Sequence, residues 1–302
     1  MFTITVEQQQ YKTYILTDET TDSQIEVVPE RGGIITRWRV RNQEIFYLDT
    51  ERFTHPQLSV RGGNPILFPI CGNLPDNIYT YNGQRYTLKQ HGFARDLPWE
   101  VTHQETQDKA SLTLLLQSND QTKAVYPFDF QLIFTYQLQG NTLEIKQQYQ
   151  NLSSTPMPFS AGFHPYFLTR SVDKCQLQFH IPSQEYQDQA TKEIHRFDGS
   201  FDFTREEIDV GFGGLTSQSA TVIDPVRKLK LTLDYDRIYS RLVFWTVKGK
   251  DFYCLEPWTA PRNALNTGEN LTVLAPKASC TASVRLTANL FINTCQSQMF
   301  ML

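Results

Sequence analysis

Basic residues are not in surplus in this chain. Its 28 Lys and Arg stand against 32 Asp and Glu, a net charge of −4 with no Lys/Arg-rich run. The electrostatic footprint of a nucleic-acid binder is therefore missing, and no nucleic-acid partner is expected. No apolar run is long enough to span a bilayer. The stretch Met1-Phe2-Thr3-Ile4-Thr5-Val6 has no basic region ahead of an apolar core, so it does not read as a signal peptide. Cysteine is sparse: the 5 cysteines, Cys71, Cys175, Cys254, Cys280 and Cys295, are odd in number, widely spaced and form no C-x-x-C. That argues against a disulfide framework or a structural zinc site and makes a reducing cytoplasm the expected setting. Nucleophile and phosphate-loop signatures are missing too. There is no G-x-S-x-G and no Walker A, and Gly211 to Gly214 lacks the G-x-G-x-x-G spacing and any βαβ context. No amphipathic helix, linker, low-complexity tract or fixed-period repeat divides the chain.

Strand chemistry and aromatic rings are what the chain does have. Its 302 residues include 20 Phe, 14 Tyr and 4 Trp, enough to bury a sizeable core and well suited to sheets and to sugar faces. Residues 1–50 read as strand after strand: Phe2–Val6, Tyr11–Thr17, Gln24–Val28, Ile34–Val40 and Glu44–Leu48. Turn formers such as Asp22, Pro29, Gly32, Gly33 and Asn42 separate them. Glu30-Arg31-Gly32-Gly33 reads as a hairpin turn. Asn82-Gly83, between Tyr79-Thr80-Tyr81 and Gln84-Arg85-Tyr86, is the strongest short hairpin signal in the chain. Gly140-Asn141 joins Phe130–Leu138 to Leu143–Tyr149 in another hairpin. Residues 171–223, including the glycine-rich Asp209 to Leu215, look mostly irregular. Lys228–Leu233, Leu242–Val247 and Ala282–Leu290 complete the strands. The economical reading is one all-β domain over residues 1–302 whose sheets stack or close to hide their edges.

Three islands of Gly, Pro and aromatic residues each hold one ionisable group near a predicted strand end. His91 lies in His91-Gly92-Phe93-Ala94-Arg95, just after the hairpin. His164 lies in Gly162-Phe163-His164-Pro165-Tyr166-Phe167, and Glu256 in Leu255-Glu256-Pro257-Trp258. Loops held by rigid sheet are where catalytic groups concentrate. A carboxylate with imidazoles is what acid–base catalysis near neutral pH needs, since their ordinary pKa values of about 4.3 and about 6.5 bracket the useful range. Burial among aromatics would raise the glutamate and make it a better base. Arg61 and Arg95 could orient polar substrate groups, and Trp258 could offer an apolar platform. His55, His103, His180 and His195, in polar contexts, read as surface. Each island also has an ordinary structural reading: a satisfied core histidine, a plain strand exit, a surface ion pair. His, His and Glu also form a known catalytic zinc set, although the H-E-x-x-H helix spacing is absent.

The runs Gly62-Gly63-Asn64-Pro65-Ile66-Leu67-Phe68-Pro69 and Tyr86-Thr87-Leu88-Lys89-Gln90-His91-Gly92-Phe93-Ala94-Arg95, with the two later islands, occur in the order found in the aldose 1-epimerase (galactose mutarotase-like) family. The chain resembles that family over nearly its whole length. The resemblance implies a large antiparallel β-sandwich, the galactose mutarotase-like supersandwich, with an open cleft and no cofactor or metal. It implies that the position of Glu256 takes the proton of the anomeric hydroxyl and that of His164 protonates the ring oxygen. The position of His91 assists there or binds hydroxyls, and Arg61 and Asp209 match the substrate-binding arginine and aspartate. Pro69-Ile70-Cys71-Gly72-Asn73-Leu74 is closer to a less characterised branch than to the galactose enzymes. A related branch acts on hexose 6-phosphates with additional basic residues, which Arg61, Arg85, Arg95 and Arg262 could supply. The expected ligand is thus a small sugar or sugar phosphate, and the expected assembly a monomer or weak homodimer. The rivals are a hexose-6-phosphate 1-epimerase, a non-catalytic carbohydrate-binding or regulatory module and a metal-dependent hydrolase.

Overall fold

Alternation in the two longest hairpin strands sets the layers. Phe130–Gln139 and Thr142–Asn151 bury every second residue, so Phe130, Leu132, Phe134, Tyr136 and Leu138 form one inward row beside Leu143, Ile145 and Tyr149. One face buried and one wet is what a period-2 pattern dictates. The structure, a computed structural model, describes residues 1–291. The hairpin lies in an 8-stranded antiparallel sheet. Beyond Thr142–Asn151 follow Ser279–Leu290, Leu229–Tyr235, Ser219–Asp224 and Gln178–His180. On the other side lie Ala110–Gln117 and Glu100–Glu105.

A second 8-stranded sheet carries the site. Its strand Phe252–Trp258 is buried at every residue, which explains why it shows no alternation. Arg241–Val247, Glu207–Phe212, Glu185–Asp188 and Ile194–Arg196 extend the sheet on one side, Gly162–Phe163 and Ile66–Leu67 on the other. A 5-stranded sheet from Phe2 to Glu44 packs its inner residues, among them Leu16, Ile25, Ile35 and Trp38, into the same buried cluster as both large sheets. Phe68 sits where these layers meet, with ring centroids 5.2 Å from Phe130, 5.6 Å from Phe159, 5.8 Å from Tyr126 and 6.0 Å from Phe93. Rings tilted or edge-on at such distances gain from their quadrupoles as well as from burial.

The Asn82-Gly83 hairpin forms with Ile78–Tyr81 paired to Gln84–Thr87. Pro29 to Gly33 turns between Ser23–Val28 and Ile34–Val40 as expected. Among the described residues α-helix is confined to short segments, Thr50–Thr54, Asp120–Val125 and Ala264–Thr267. None of the described helices is long and apolar enough to cross a membrane.

Two expectations need correction. Glu44–Leu48 is not a full strand. Only Gln43–Glu44 pairs with the first sheet, and Phe46 and Leu48 then bridge singly to Phe167 and Gly62. Residues 171–223 are more ordered than their polar composition suggested. Five strands run through them, and the glycine-rich segment begins as Glu207–Phe212 in the middle of the site-bearing sheet. Pairing on both sides, to Arg241–Val247 and Glu185–Asp188, holds it extended despite Gly211. Among the described cysteines Cys71 and Cys254 are buried, Cys175 is exposed, and each is free; Cys295 lies outside the described residues.

Candidate active site

Backbone geometry at the first island aims His91. Gly63 threads so close to the first sheet that a Cβ there would lie 2.3 Å from the Ile35 carbonyl oxygen. The same run feeds the second island, because the Tyr166 amide donates to the Gly63 carbonyl at 2.9 Å and the His164 amide to that of Pro65 at 3.0 Å. His91 takes a left-handed conformation at φ 65, and its amide donates to the Gly72 carbonyl at 2.7 Å. Gly92 follows at φ 71, where a Cβ would lie 2.2 Å from the Phe68 carbonyl oxygen. Only glycine fits such a path without strain.

His91 is 4% exposed, and its Nδ1 accepts the Gly72 amide at 3.0 Å. An imidazole nitrogen that accepts carries no proton, so the hydrogen resides on Nε2. Burial, then the positive charge of Arg95, holds its pKa well below the usual histidine value. His164 stacks on Tyr166 with centroids 4.7 Å apart and meets Trp245 edge-on at 5.7 Å. Burial, then Arg95, pushes its pKa down to about 3.

Glu256 is fixed by its strand, whose register sets it opposite Val243. It is 1% exposed, and Oε2 accepts the Trp258 indole N–H at 3.1 Å. Oε1 lies 3.4 Å from His164 Nε2. Burial, then the neighbouring charge of Asp209, pushes the Glu256 pKa well above the usual carboxylate value. Burial disfavours both the carboxylate and the imidazolium. Burial thus favours a neutral carboxyl beside a neutral imidazole, and the two groups titrate as coupled sites.

One open hollow of about 330 Å³ is lined by Glu256, His164, His91, Arg61, Asp209, Arg95 and Trp258, so the structure brings the seven expected residues together. Their surroundings differ from the expectation in places. Trp258 is 2% exposed, with the Arg262 guanidinium 5.4 Å from its ring centre. It touches Glu256 through its N–H and offers no open face for stacking. The half-buried ring lining the pocket is Trp245, with the Arg61 guanidinium 5.9 Å away and its N–H donated to Glu207. Asp209 receives both its hydrogen bonds, at 2.8 and 3.0 Å, from Arg262, and burial raises its pKa while Arg262 pulls it down. Arg85 lies exposed on the hairpin strand and does not line the pocket. Tyr166, Trp245 and Arg52 line it without having been singled out by the sequence. His55, His103, His180 and His195 are exposed, as expected.

Among the described residues, the donor set that could hold a metal ion is His164, Cys254 and Glu256, whose ligand atoms lie within 4.8 Å of one another. His91 is not part of it, since its Nδ1 is engaged by Gly72. Burial and the neighbouring Glu256 push the Cys254 thiol well above its ordinary pKa, so the set offers a thiol where zinc takes a thiolate.

Fold and site define a galactose mutarotase-like protein, and comparison with known proteins gives the family. The aldose 1-epimerase family model matches residues 14–287, and the chain belongs to that family. It is 48% identical to the Slr1438 protein from Synechocystis sp. PCC 6803, whose crystal structure superposes with a TM-score of 0.91 over 96% of this chain and 100% of that one. A galactose mutarotase-like protein from Clostridium acetobutylicum shares the fold, with a TM-score of 0.80 at 19% identity over 96% of this chain and 99% of that one. A Salmonella typhimurium protein provisionally named glucose-6-phosphate 1-epimerase is 30% identical over 139 residues, 45% of this chain and 42% of that protein.

Proposed function

We propose that the chain, a single domain, interconverts the α and β anomers of an aldohexose by acid–base opening and closure of the ring. The observation that carries this reading is the 3.4 Å approach of Glu256 Oε1 to His164 Nε2 in an open pocket, beside an imidazole whose Nε2–H is left for a ligand. Glu256 in its ionised form takes the proton of the anomeric hydroxyl. His164 in its protonated form gives one to the ring oxygen, and the C1–O5 bond opens to the aldehyde. Rotation about C1–C2 and reversal of both transfers close the other anomer. A raised glutamate is a stronger base than usual and a lowered histidine a stronger acid, so the burial that opposes both charges also sharpens both transfers. Substrate oxygens supply the polar contacts that let the ionic form of the pair exist. His91 donates from Nε2 to the ring oxygen or a hydroxyl. Arg61, Arg95 and Asp209 hold the remaining hydroxyls, and Trp245 meets the C–H face.

A second reading, a phosphorylated hexose, is favoured by one feature. Arg52, Arg61 and Arg95 line the pocket, and among the described residues none of them is ion-paired with a carboxylate. Three unpaired guanidinium groups suit a phosphate. An exchange panel by NMR, using glucose, galactose and glucose 6-phosphate, separates the two. Glu256→Gln should keep the fold and lower exchange by roughly 10²–10⁴-fold; near-normal exchange in that variant would falsify the assignment. Sugar binding without exchange above background in the wild-type protein would point to a binding module instead. Loss of activity on chelation, restored by zinc, would point to the His164, Cys254 and Glu256 set.

A further inference from the structure

The ring-opening chemistry makes no use of the turn at residues 29–33 in the first sheet, yet one side chain of that turn is spent entirely on a distant loop. Arg31 is 9% exposed. Its Nη1 donates to the Pro56 carbonyl at 3.1 Å, and its Nη2 to those of His55 at 3.0 Å and Leu58 at 2.7 Å. Among the described residues its partners are these carbonyls and no carboxylate. Burying a guanidinium without a counter-charge is costly unless its N–H groups are used, and bonds donated by a charged group are the strong ones. A turn that merely reverses the chain has no need of such a residue.

The loop so held covers residues 50–60. Its base is closed, because the Asp49 amide donates to the Arg61 carbonyl at 2.9 Å. Asp49 also caps the short helix Thr50–Thr54, accepting the Arg52 amide at 3.0 Å. Arg52 Nε donates to the Ser59 carbonyl at 3.1 Å and so ties the helix to the returning limb. A compact loop with joined ends, packed by its own side chains, is an Ω-loop. Arg52, Ser59, Val60 and Arg61 form one wall of the pocket that holds Glu256 and His164. Gln10 and Tyr11 add two ties to the first sheet: the Gln10 side chain donates to the Thr54 carbonyl at 2.5 Å, and Tyr11 meets Phe53 edge-on at 5.5 Å. The next residue of the turn backs a third pocket arginine. Gly32, at φ 78, lies so close to Arg95 that a Cβ would sit 2.1 Å from the Arg95 carbonyl oxygen.

We infer that this turn is the buttress of the substrate-holding wall and that Arg31 is a positioning residue, which sets where Arg52 and Arg61 meet the sugar without touching it. The inference rests on the epimerase reading of the pocket and adds a determinant of affinity to it. Glu256 and His164 are held by the site-bearing sheet, and Arg31 bonds only to the loop. Loosening the loop should therefore weaken binding and spare the proton transfers. An interaction lost equally from ground state and transition state raises KM at constant kcat.

The experiment compares Arg31→Met and the milder Arg31→Lys with the wild type in two measurements. Limited trypsin digestion needs no ligand. It should cut after Arg52 about tenfold faster in Arg31→Met, with sites outside the loop cut at the wild-type rate, since only the loop has lost its tether. Anomer exchange by NMR with glucose and glucose 6-phosphate should show KM about tenfold higher and kcat within twofold for the sugar that the wild type turns over. Arg31→Lys, with one ammonium in place of the fork, should shift both readouts about threefold, and it decides by the same criteria if Arg31→Met does not fold. In an Arg52→Met background, Arg31→Met should raise KM only about threefold, because the two residues act through one loop. Cutting after Arg52 at the wild-type rate, faster cutting everywhere, an unchanged KM or full additivity with Arg52→Met would overturn the inference and leave the epimerase reading intact. Exchange of neither sugar by the wild type would count against that reading instead. Digestion and isothermal titration of the two sugars then decide the inference: faster cutting of the loop with weaker binding supports it, and no change in either refutes it.

Discussion

At the scale of the residue, the tryptophan beside the glutamate is the informative one. An indole is read from sequence as hydrophobic mass, and Trp258 is indeed buried, yet its N–H is aimed at Glu256 Oε2. A hydrogen bond to a carboxylate favours the ionised form and opposes the lift that burial gives. On the proposed epimerase reading, Trp258 positions Glu256 rather than serving as a platform. Trp258→Phe should lower kcat by about tenfold, the worth of one charge-assisted hydrogen bond. It should also move the alkaline limb of the kcat/KM profile to higher pH, because Glu256 loses a contact that holds its proton affinity down. A fall in rate with an unmoved limb would leave Trp258 with a packing role alone. The sequence could not disclose this contact, since an i,i+2 pair on one strand shares a face only once the segment is known to be extended.

At the scale of the element, the His91 loop depends on one backbone contact. The strand Ile66–Leu67 runs into Phe68, whose carbonyl accepts the amides of Phe93 at 3.0 Å and Ala94 at 3.2 Å. The absence of a side chain at Gly92 lets these segments touch. Gly92→Ala should destabilise the protein by roughly 3 kcal/mol or more in urea unfolding, combining left-handed strain with a backbone clash. Gly83→Ala, where an added Cβ meets nothing within 4 Å, should cost only about 1 kcal/mol. Equal losses at the two positions would refute the contact argument. Local chemistry made the three islands and the hairpin legible in advance, since Gly, Pro and Asn-Gly act on their own neighbours. Cross-strand register is not local. Asp209 opposite Trp245, and Val243 opposite Glu256, follow from sheet pairing, so the strand around Asp209 and the pocket-lining ring of Trp245 were hidden. Arg262 drew notice only as a possible phosphate ligand, because its partner Asp209 lies 53 positions away.

At the scale of the molecule, the buried ionisable trio ties folding to pH. His91 and His164 have folded pKa values below the unfolded one of about 6.5, so their contribution is present above that value and lost as pH falls. Glu256 has the opposite sign. Its folded pKa is raised, so its contribution is present below about 4.3 and lost as pH rises towards the folded value. Each group changes the slope by about 1.4 kcal/mol per pH unit. The histidines therefore make stability rise with pH up to about 6.5, and the glutamate makes it fall as pH climbs from about 4.3 towards its raised folded value. Thermal melts from pH 4.5 to 8.5 should show a decline with rising pH in the wild type that is smaller in Glu256→Gln. A decline that persists unchanged in the variant would assign it to other groups. The all-β architecture was visible in the strand-rich, aromatic composition, whereas the joining of the layers around Phe68 depends on contacts between distant segments.

The amide of Gly72 gives the first imidazole a direction. With Nδ1 engaged, His91 can offer a hydrogen to whatever enters but cannot receive one, as long as the ring stays neutral. Nitrogen-15 spectra should find the two ring nitrogens unlike, one bare and one bearing its hydrogen, and unchanged across the working pH range. A ligand presenting an oxygen lone pair there is welcomed; one presenting an ammonium meets a donor facing a donor. Discrimination of this kind is built by a peptide bond rather than a side chain, and it depends on Gly72 itself, whose φ of 71 and whose approach to Arg262, 2.4 Å from an added Cβ, leave no room for another residue without moving the loop.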